Sequence, residues 1–246
     1  MRRFYLDVAI SQLRPLYLRS LQRYNHILQQ RNKLIKNAEK DRKSFDATIE
    51  FWSAQLAAEA ANITKQRLRY IEAAERELKV CFDEMTSGRE TPSLEYDFSF
   101  KIKSEEAADA KCAQEIFFSQ LMSSHDREIY AGATLWGIHK DDLIIKLDGK
   151  NARNFASQGQ QRSIALAMKM AEGEISREYG DKEYPVFLFD DVLSELDAHR
   201  RDYLVRQMRG RQVIMTACDP AAADFGGAVN LIHVDGGRYT QKEREV

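Results

Sequence analysis

Residues 185–197 read PVFLFDDVLSELD, and the fold turns on how they are read. Residues 186–189 form a short apolar run behind a proline, the pattern of a buried strand. The run delivers Asp190 and Asp191 side by side at its carboxyl end, where open α/β sheets bind their ligands. Adjacent carboxylates repel unless something positive lies between them, and a magnesium ion carried by a nucleoside triphosphate meets that need. Read that way, Asp190 reaches the metal and Asp191 polarises the attacking water. The plainer alternative is an acidic N-cap that satisfies the next helix dipole. Glu195 and Asp197, which follow at once, add weight to the first reading.

Working outward, the pattern predicts a helix over about 158–178, a strand at 185–189, a helix over about 197–209 and a strand at 211–216. Strand, helix, strand with continuous apolar strands implies a buried, largely parallel sheet. A β-hairpin is expected at 229–241, VNLIHVDGGRYTQ. The helix at 158 opens on SQGQQR, residues 157–162. Unpaired N–H groups and the positive dipole end point out of such a turn. Gly159 allows a close backbone approach to an anion, Ser157 adds a hydroxyl, and the Ala-rich run behind packs tightly. This suits contact with a γ-phosphate, and a polar helix cap is the alternative.

Upstream, Tyr17, Leu21, Tyr24, Leu28 and Ile35 form a helical stripe that Arg31 interrupts. A second stripe runs through Ile49, Trp52, Leu56, Ala60, Ile63, Tyr70, Ala74, Leu78, Cys81 and Met85 with no Pro or Gly. Heptad-like spacing predicts an antiparallel helical pair forming an arm. LEYDFSFKIK (94–103) alternates as a strand, Ser104 offers an N-cap to a helix ending near Gly132, and DDLIIKLDGK (141–150) closes on an Asp-Gly hairpin turn. Two domains are expected: a helical arm at 1–131 with a short strand near 94–103, and a lobe at 132–246.

The chain has 246 residues and a net charge of −1, so bulk charge announces no partner. The balance hides a gradient: residues 1–43 hold 11 Lys/Arg and 3 Asp/Glu, a local +8, while 44–131 hold 10 and 17, a local −7. A basic first segment suits a surface that meets phosphate, with Arg14, Arg19 and Arg23 as candidate DNA contacts. The alternative is a solvated helix face balancing an acidic neighbour. Cys81, Cys112 and Cys218 are widely spaced, without CxxC, and read as free thiols of a cytoplasmic protein. No apolar run approaches bilayer length.

In their order, SQGQQR, the apolar strand ending in Asp-Asp, SELD and QVIMTACD resemble the carboxyl-terminal lobe of ABC-type ATPases, and within them the RecF family. RRFYLD, LQRYNHILQQRNKLIK and GATLWGIHKDDLIIKLDGKNARNFASQGQQR extend the resemblance over nearly the whole chain. It implies an α/β ABC-type ATPase head: a carboxyl-terminal lobe with a mostly parallel sheet and an inserted helical arm domain. By resemblance, Ser157, Gln158, Gly159, Gln160, Gln161 and Arg162 match the signature motif, residues 186–191 the Walker B strand and residues 194–197, ending in Asp197, the D-loop. Thr216 stands where the γ-phosphate sensor is expected, and His139 reads equally as a structural or a functional residue. Gln158 and Asp191 depart from the Gly and Glu usual in transporters and SMC-like ATPases, in the manner of RecF.

No G-x-x-x-x-G-K-[ST] phosphate loop is present: the sole Gly-Lys pair, Gly149-Lys150, is followed by Asn151. The family carries that loop ahead of RRFYLD, so a partial protein is expected, with ATPase activity belonging to the intact form and not to this chain alone. The resemblance further implies ATP and Mg2+ as cofactors and an ATP-dependent homodimer in which the signature acts in trans. It also implies DNA at single-strand/duplex junctions, RecO and RecR as partners, and help in loading the RecA recombinase. A non-hydrolysing DNA- or partner-binding module is the alternative. An SMC- or Rad50-like head is disfavoured by the short arm.

Overall fold

A computed structural model describes residues 2–180, 182–218 and 229–244. The chain divides into two compact units, Met1–Lys79 with Thr91–Ala156, and Val80–Glu90 with Ser157–Val246. The division expected at 131/132 therefore falls elsewhere. Residues 142–147 pair along their length with residues 92–97, and this ladder draws the segment up to 156 into the helical unit.

The first unit begins with α1 (Arg2–Leu13) and α2 (Pro15–Asn37). Pro15 starts α2 because its fixed φ suits the first helical position and its missing N–H is needed by no partner there. The 45-residue α3 (Arg42–Thr86) follows, unbroken by Pro or Gly. Tyr17, Arg23 and Arg31 of α2 bond Arg67, Glu59 and Ser53 of α3, so partners descend as residues ascend and the pair is antiparallel. Ile35, Ala38, Phe45 and Ile49 close its turn.

Arg31 does not interrupt its stripe. It is fully buried and bonds Ser53, Thr134 and Glu128, the last through a 2.6 Å ion pair between two buried side chains. Arg67 plays the same part on the second stripe. Its guanidinium meets Asp7, Tyr17, Tyr96 and the Ile138 carbonyl, joining α1, α2, α3, a strand and a loop. Buried charges persist only when paired and hydrogen-bonded. Both arginines meet that condition.

Strand β1 (Pro92–Asp97) is shorter than the 94–103 run expected, and it pairs antiparallel with β2 (Asp142–Leu147). β3 (Lys150–Asn151) completes this sheet through the Asp148–Gly149 turn, both residues at positive φ as an Asp-Gly hairpin requires. The helix expected from Ser104 is instead three: α4 (Ser104–Ala108), α5 (Ala110–Ser123) and α6 (His125–Ala131). Ser104 is the first helical residue rather than a cap. Asp109 breaks the run because its carboxylate accepts the Lys111 and Cys112 amides and starts α5 afresh. Gly132, left-handed, ends α6 as expected. A short α7 (Ala152–Phe155) closes the unit.

In the second unit α8 (Gln158–Tyr179), β4 (Phe187–Asp190), a 3-10 turn (Val192–Glu195), α9 (Ala198–Met208) and β5 (Val213–Thr216) follow the expected order. β4 and β5 are parallel, with Asp190 opposite Thr216. Gly173 lets α8 meet β4: a Cβ there would lie 2.4 Å from Cζ of Phe187. β6 (Val229–Asp235) and β7 (Arg238–Arg244) make the expected hairpin. Among the described residues, β4 and β5 pair in parallel, whereas the β1–β2–β3 sheet and the β6–β7 hairpin are antiparallel. Nor is the strand continuously buried: Phe187 and Phe189 face inward, whereas Leu188 and Ile214 are 73% and 59% exposed.

Candidate functional site

The carboxyl ends of β4 and β5 bring together three of the expected site residues. Thr216 Oγ1 donates to Asp190 Oδ1 at 2.6 Å and accepts from the Asp191 N–H at 3.0 Å. Its one proton is committed to Asp190, so here Thr216 orients the acid pair; the expected sensor contact would require that bond to be exchanged. Asp191 has φ 47°, the left-handed region, which Asp tolerates better than most residues at a cost of about 1 kcal/mol. That turn exposes Asp190, while Oδ1 of Asp191 is buried with no hydrogen-bond partner.

Ser194 fixes the turn by donating to the Asp191 carbonyl at 2.8 Å. No side-chain geometry is described for Glu195, and Asp219, the last residue of QVIMTACD, lies outside the described residues. The acid pair offers hard oxygen donors, one exposed and one lacking a partner. No group of three or more His, Cys, Asp or Glu able to hold a metal occurs among the described residues. Hard carboxylate oxygens such as the acid pair's are the donor type Mg2+ takes, one or two from protein with phosphate and water completing the shell.

The second group is the mouth of α8. Ser157 caps the helix: its hydroxyl accepts the Gln160 N–H, and the Gln160 side chain accepts the Ser157 N–H, a capping box. Gln160 also donates to Glu90. The polar-cap alternative is thus realised for Ser157 and Gln160, while Gln158, Gln161 and Arg162 are exposed and Gly159 is partly so.

Gly159 has ordinary helical φ, and a Cβ on it would make only an ordinary 3.6 Å contact, with Arg200 Nη1. Glycine costs a helix about 1 kcal/mol relative to alanine. Gly173, by contrast, has no room for a side chain. Among the described residues nothing in the packing demands glycine at 159, which suits a backbone that something from outside approaches.

Asp197 joins this group rather than the acid pair. It caps α9 by accepting the Arg200 N–H at 2.9 Å and pairs with Arg200 Nη1 at 2.8 Å. Arg200, which the motif reading missed, is thereby held beside Gly159. Its signal was present: an arginine three residues beyond a capping Asp sits one helical turn away.

The basic segment is less uniform than its charge suggests. Arg19 is exposed, and Arg14 is half-buried. Arg23 bonds Glu59 of α3 through two nitrogens, the balancing contact expected of a solvated face. His139 Nε2 donates to the Thr134 carbonyl at 3.2 Å, and Nδ1 of the neutral ring accepts from Tyr24 Oη at 2.7 Å. Burial pushes its pKa down to about 4. It is a structural residue of the 132–141 loop.

No family model matches the chain. The DNA replication and repair protein RecF of Halothermothrix orenii is 40% identical over 222 residues, 89% of this chain and 58% of that protein. RecF of Chloroflexus aurantiacus is 38% identical over 244 residues, covering 96% and 62%, and that of Listeria monocytogenes 36% over 224 residues, covering 91% and 60%. A solved structure of the recombination mediator protein RecF with ATP, in the RecFOR pathway, superposes with a TM-score of 0.85. It is 30% identical and is matched over 98% of this chain and 62% of its own. Over most of its length the chain is similar to RecF proteins.

That likeness gives the fold its class, α/β, as in the RecF structures. The chain spans about three fifths of the length of the relatives it matches. No helix among the described residues is long and apolar enough to cross a membrane.

Proposed function

We propose that this chain supplies two half-sites of an ATP-dependent DNA replication and repair protein, in which ATP joins two copies head to tail. The observation that carries the reading is the acid pair: Thr216 clamps Asp190 and the Asp191 backbone at the end of a parallel strand pair, leaving a buried Asp191 oxygen without a partner. Asp190 is placed to hold Mg2+, which when bound neutralises the charge building on the phosphates. Asp191 is placed to take a proton from, and orient, the attacking water. Across the dimer, Ser157, Gln158, Gly159, Gln160, Gln161 and Arg162 present a helix mouth to the terminal phosphate, which helix N-termini favour. The reaction needs positioning and charge stabilisation rather than a covalent enzyme intermediate.

In this reading the assembled protein is a cytoplasmic clamp on single-strand/duplex DNA junctions that works with RecO and RecR to load RecA. The relatives named for DNA replication and repair, and the RecF–ATP structure from the RecFOR pathway, support it. The helical unit, through Arg14 and Arg19, would meet DNA phosphate, with Arg23 the weakest of the three candidates because of Glu59.

The test joins this chain to the remaining two fifths of a RecF relative and measures DNA-stimulated ATP turnover. Asp190→Asn and Asp191→Asn should each lower it by about two orders of magnitude or more. Turnover at the unsubstituted rate in both would remove the acid pair from the mechanism. Charge reversal at Arg14 and Arg19 should weaken DNA binding and flatten its salt dependence.

A further inference from the structure

Arg200 occupies an electrostatically awkward place. Its guanidinium lies against Gly159 in the first turn of α8, at the end of the helix where unpaired N–H groups already make the field positive. No acidic residue stands in that first turn to offset it. Among the described residues Asp197 pairs with it at 2.8 Å, an ion pair in which Arg200 keeps about a quarter of its side chain in solvent, while Glu90 accepts from the neighbouring Gln160 side chain. A cation here is favourable only with an anion beside it, and the glycine leaves the backbone open on the same side.

Resting on the proposed nucleotide reading, we infer that Arg200 is a further phosphate-binding residue. When a terminal phosphate arrives at the α8 mouth, the guanidinium turns from Asp197 to the phosphoryl oxygens. Both partners suit it, since guanidinium pairs with carboxylate or phosphate in the same forked geometry. The exchange has a second effect. Asp197 keeps its cap on the Arg200 backbone N–H but loses the ion pair, so the turn between β4 and α9 gains a free carboxylate oxygen only when phosphate is bound. Arg200 would thus link occupancy of the α8 mouth to the turn that carries the acid pair.

The test joins the isotopically labelled chain to the remaining two fifths of a RecF relative and titrates it with Mg–ATPγS, and separately with inorganic phosphate, followed at the Gly159 amide and the Arg200 Nε–H. Both signals should move together. Arg200→Gln should weaken binding about tenfold, with Arg200→Lys falling between, because one charge-assisted contact is lost or loses its fork. Asp197→Asn, which preserves the cap, should tighten binding about threefold by removing the competing carboxylate. Thermal melts of all three should stay close to that of the unsubstituted chain. If ATPγS moves neither signal, the α8 mouth is no phosphate site, and this inference falls with the reading beneath it. If Gly159 responds but Arg200→Gln and Asp197→Asn bind as before, the nucleotide reading stands and the role of Arg200 is overturned. Phosphate alone matching ATPγS would show that the mouth reads a phosphoryl group without the nucleoside.

Discussion

The two units treat charge in different ways. In the helical unit, Arg31 and Arg67 are taken wholly inside and each is closed by partners: Glu128, Ser53 and Thr134 for one, Asp7, Tyr17 and Tyr96 for the other. In the second unit the acid pair stays open. Leu188 and Ile214 lie on an exposed sheet face, Ile232, Val234 and Tyr239 on an exposed hairpin, and Asp191 keeps an unpartnered oxygen. Parallel strands are ordinarily covered on both faces. Arginines closed by their own partners serve the scaffold, whereas an acid pair left open at a strand end is arranged to meet something else.

The contrast breaks most visibly at the buried ion pair. Arg31→Met should destabilise the helical unit by about 3–5 kcal/mol, because Glu128 is left buried and unpaired. Adding Glu128→Leu should recover much of that loss in denaturant melts. Equal losses in the single and double variants would mean that the pair does not close the unit.

Acid provides the next test. Burial holds His139 neutral, with its pKa lowered to about 4 from an ordinary value near 6.5. Between these values the unfolded chain binds the extra proton, so stability should be complete well above pH 6.5 and fall by about 3 kcal/mol as pH drops toward 4. His139→Gln should flatten that slope in pH-dependent melts, at some cost near neutrality for the altered contact with Tyr24. An unchanged slope would place the acid sensitivity elsewhere.

Smaller effects are expected in the second unit. Gly159→Ala should stabilise it by about 0.5–1 kcal/mol, since the added Cβ meets only an ordinary contact. A gain in melting temperature accompanied by weaker ATPγS binding would mark the glycine as kept for a ligand. Smallest of all, Leu188→Lys with Ile214→Lys should change stability by less than about 0.5 kcal/mol per site while reducing self-association. A large destabilisation would show that the face is not open in solution.

Much of this was legible in the residues. Helical stripes, the Asp-Gly hairpin, the Ser157 cap and the strand bearing Asp190 and Asp191 all follow from local rules of spacing and turn chemistry. What escaped depends on distant partners. Arg31 looked like an interruption because Glu128 stands far away in sequence, and Arg67 went unnoticed for the same reason. Asp109 broke a helix that Ser104 seemed to start, because a carboxylate that captures two amides outcompetes continuation. The exposure of Leu188 could not be read from an apolar run, which looks the same whether one face or both are covered. Thr216 was picked out by its position, but its bonds to both members of the acid pair belong to the parallel register of β4 and β5.

The central claim is that the α8 mouth of one copy and the acid pair of another share one nucleotide. Mixing settles it most directly, using this chain joined to the rest of a RecF relative. One variant carries Gly159→Leu to block the mouth, and the other carries Asp191→Asn. Each alone should be inactive, while an equal mixture should recover about a quarter of the unsubstituted ATP turnover, because half the pairs hold one intact site of two. A mixture as silent as its components would place both groups on the same copy's nucleotide and contradict the account.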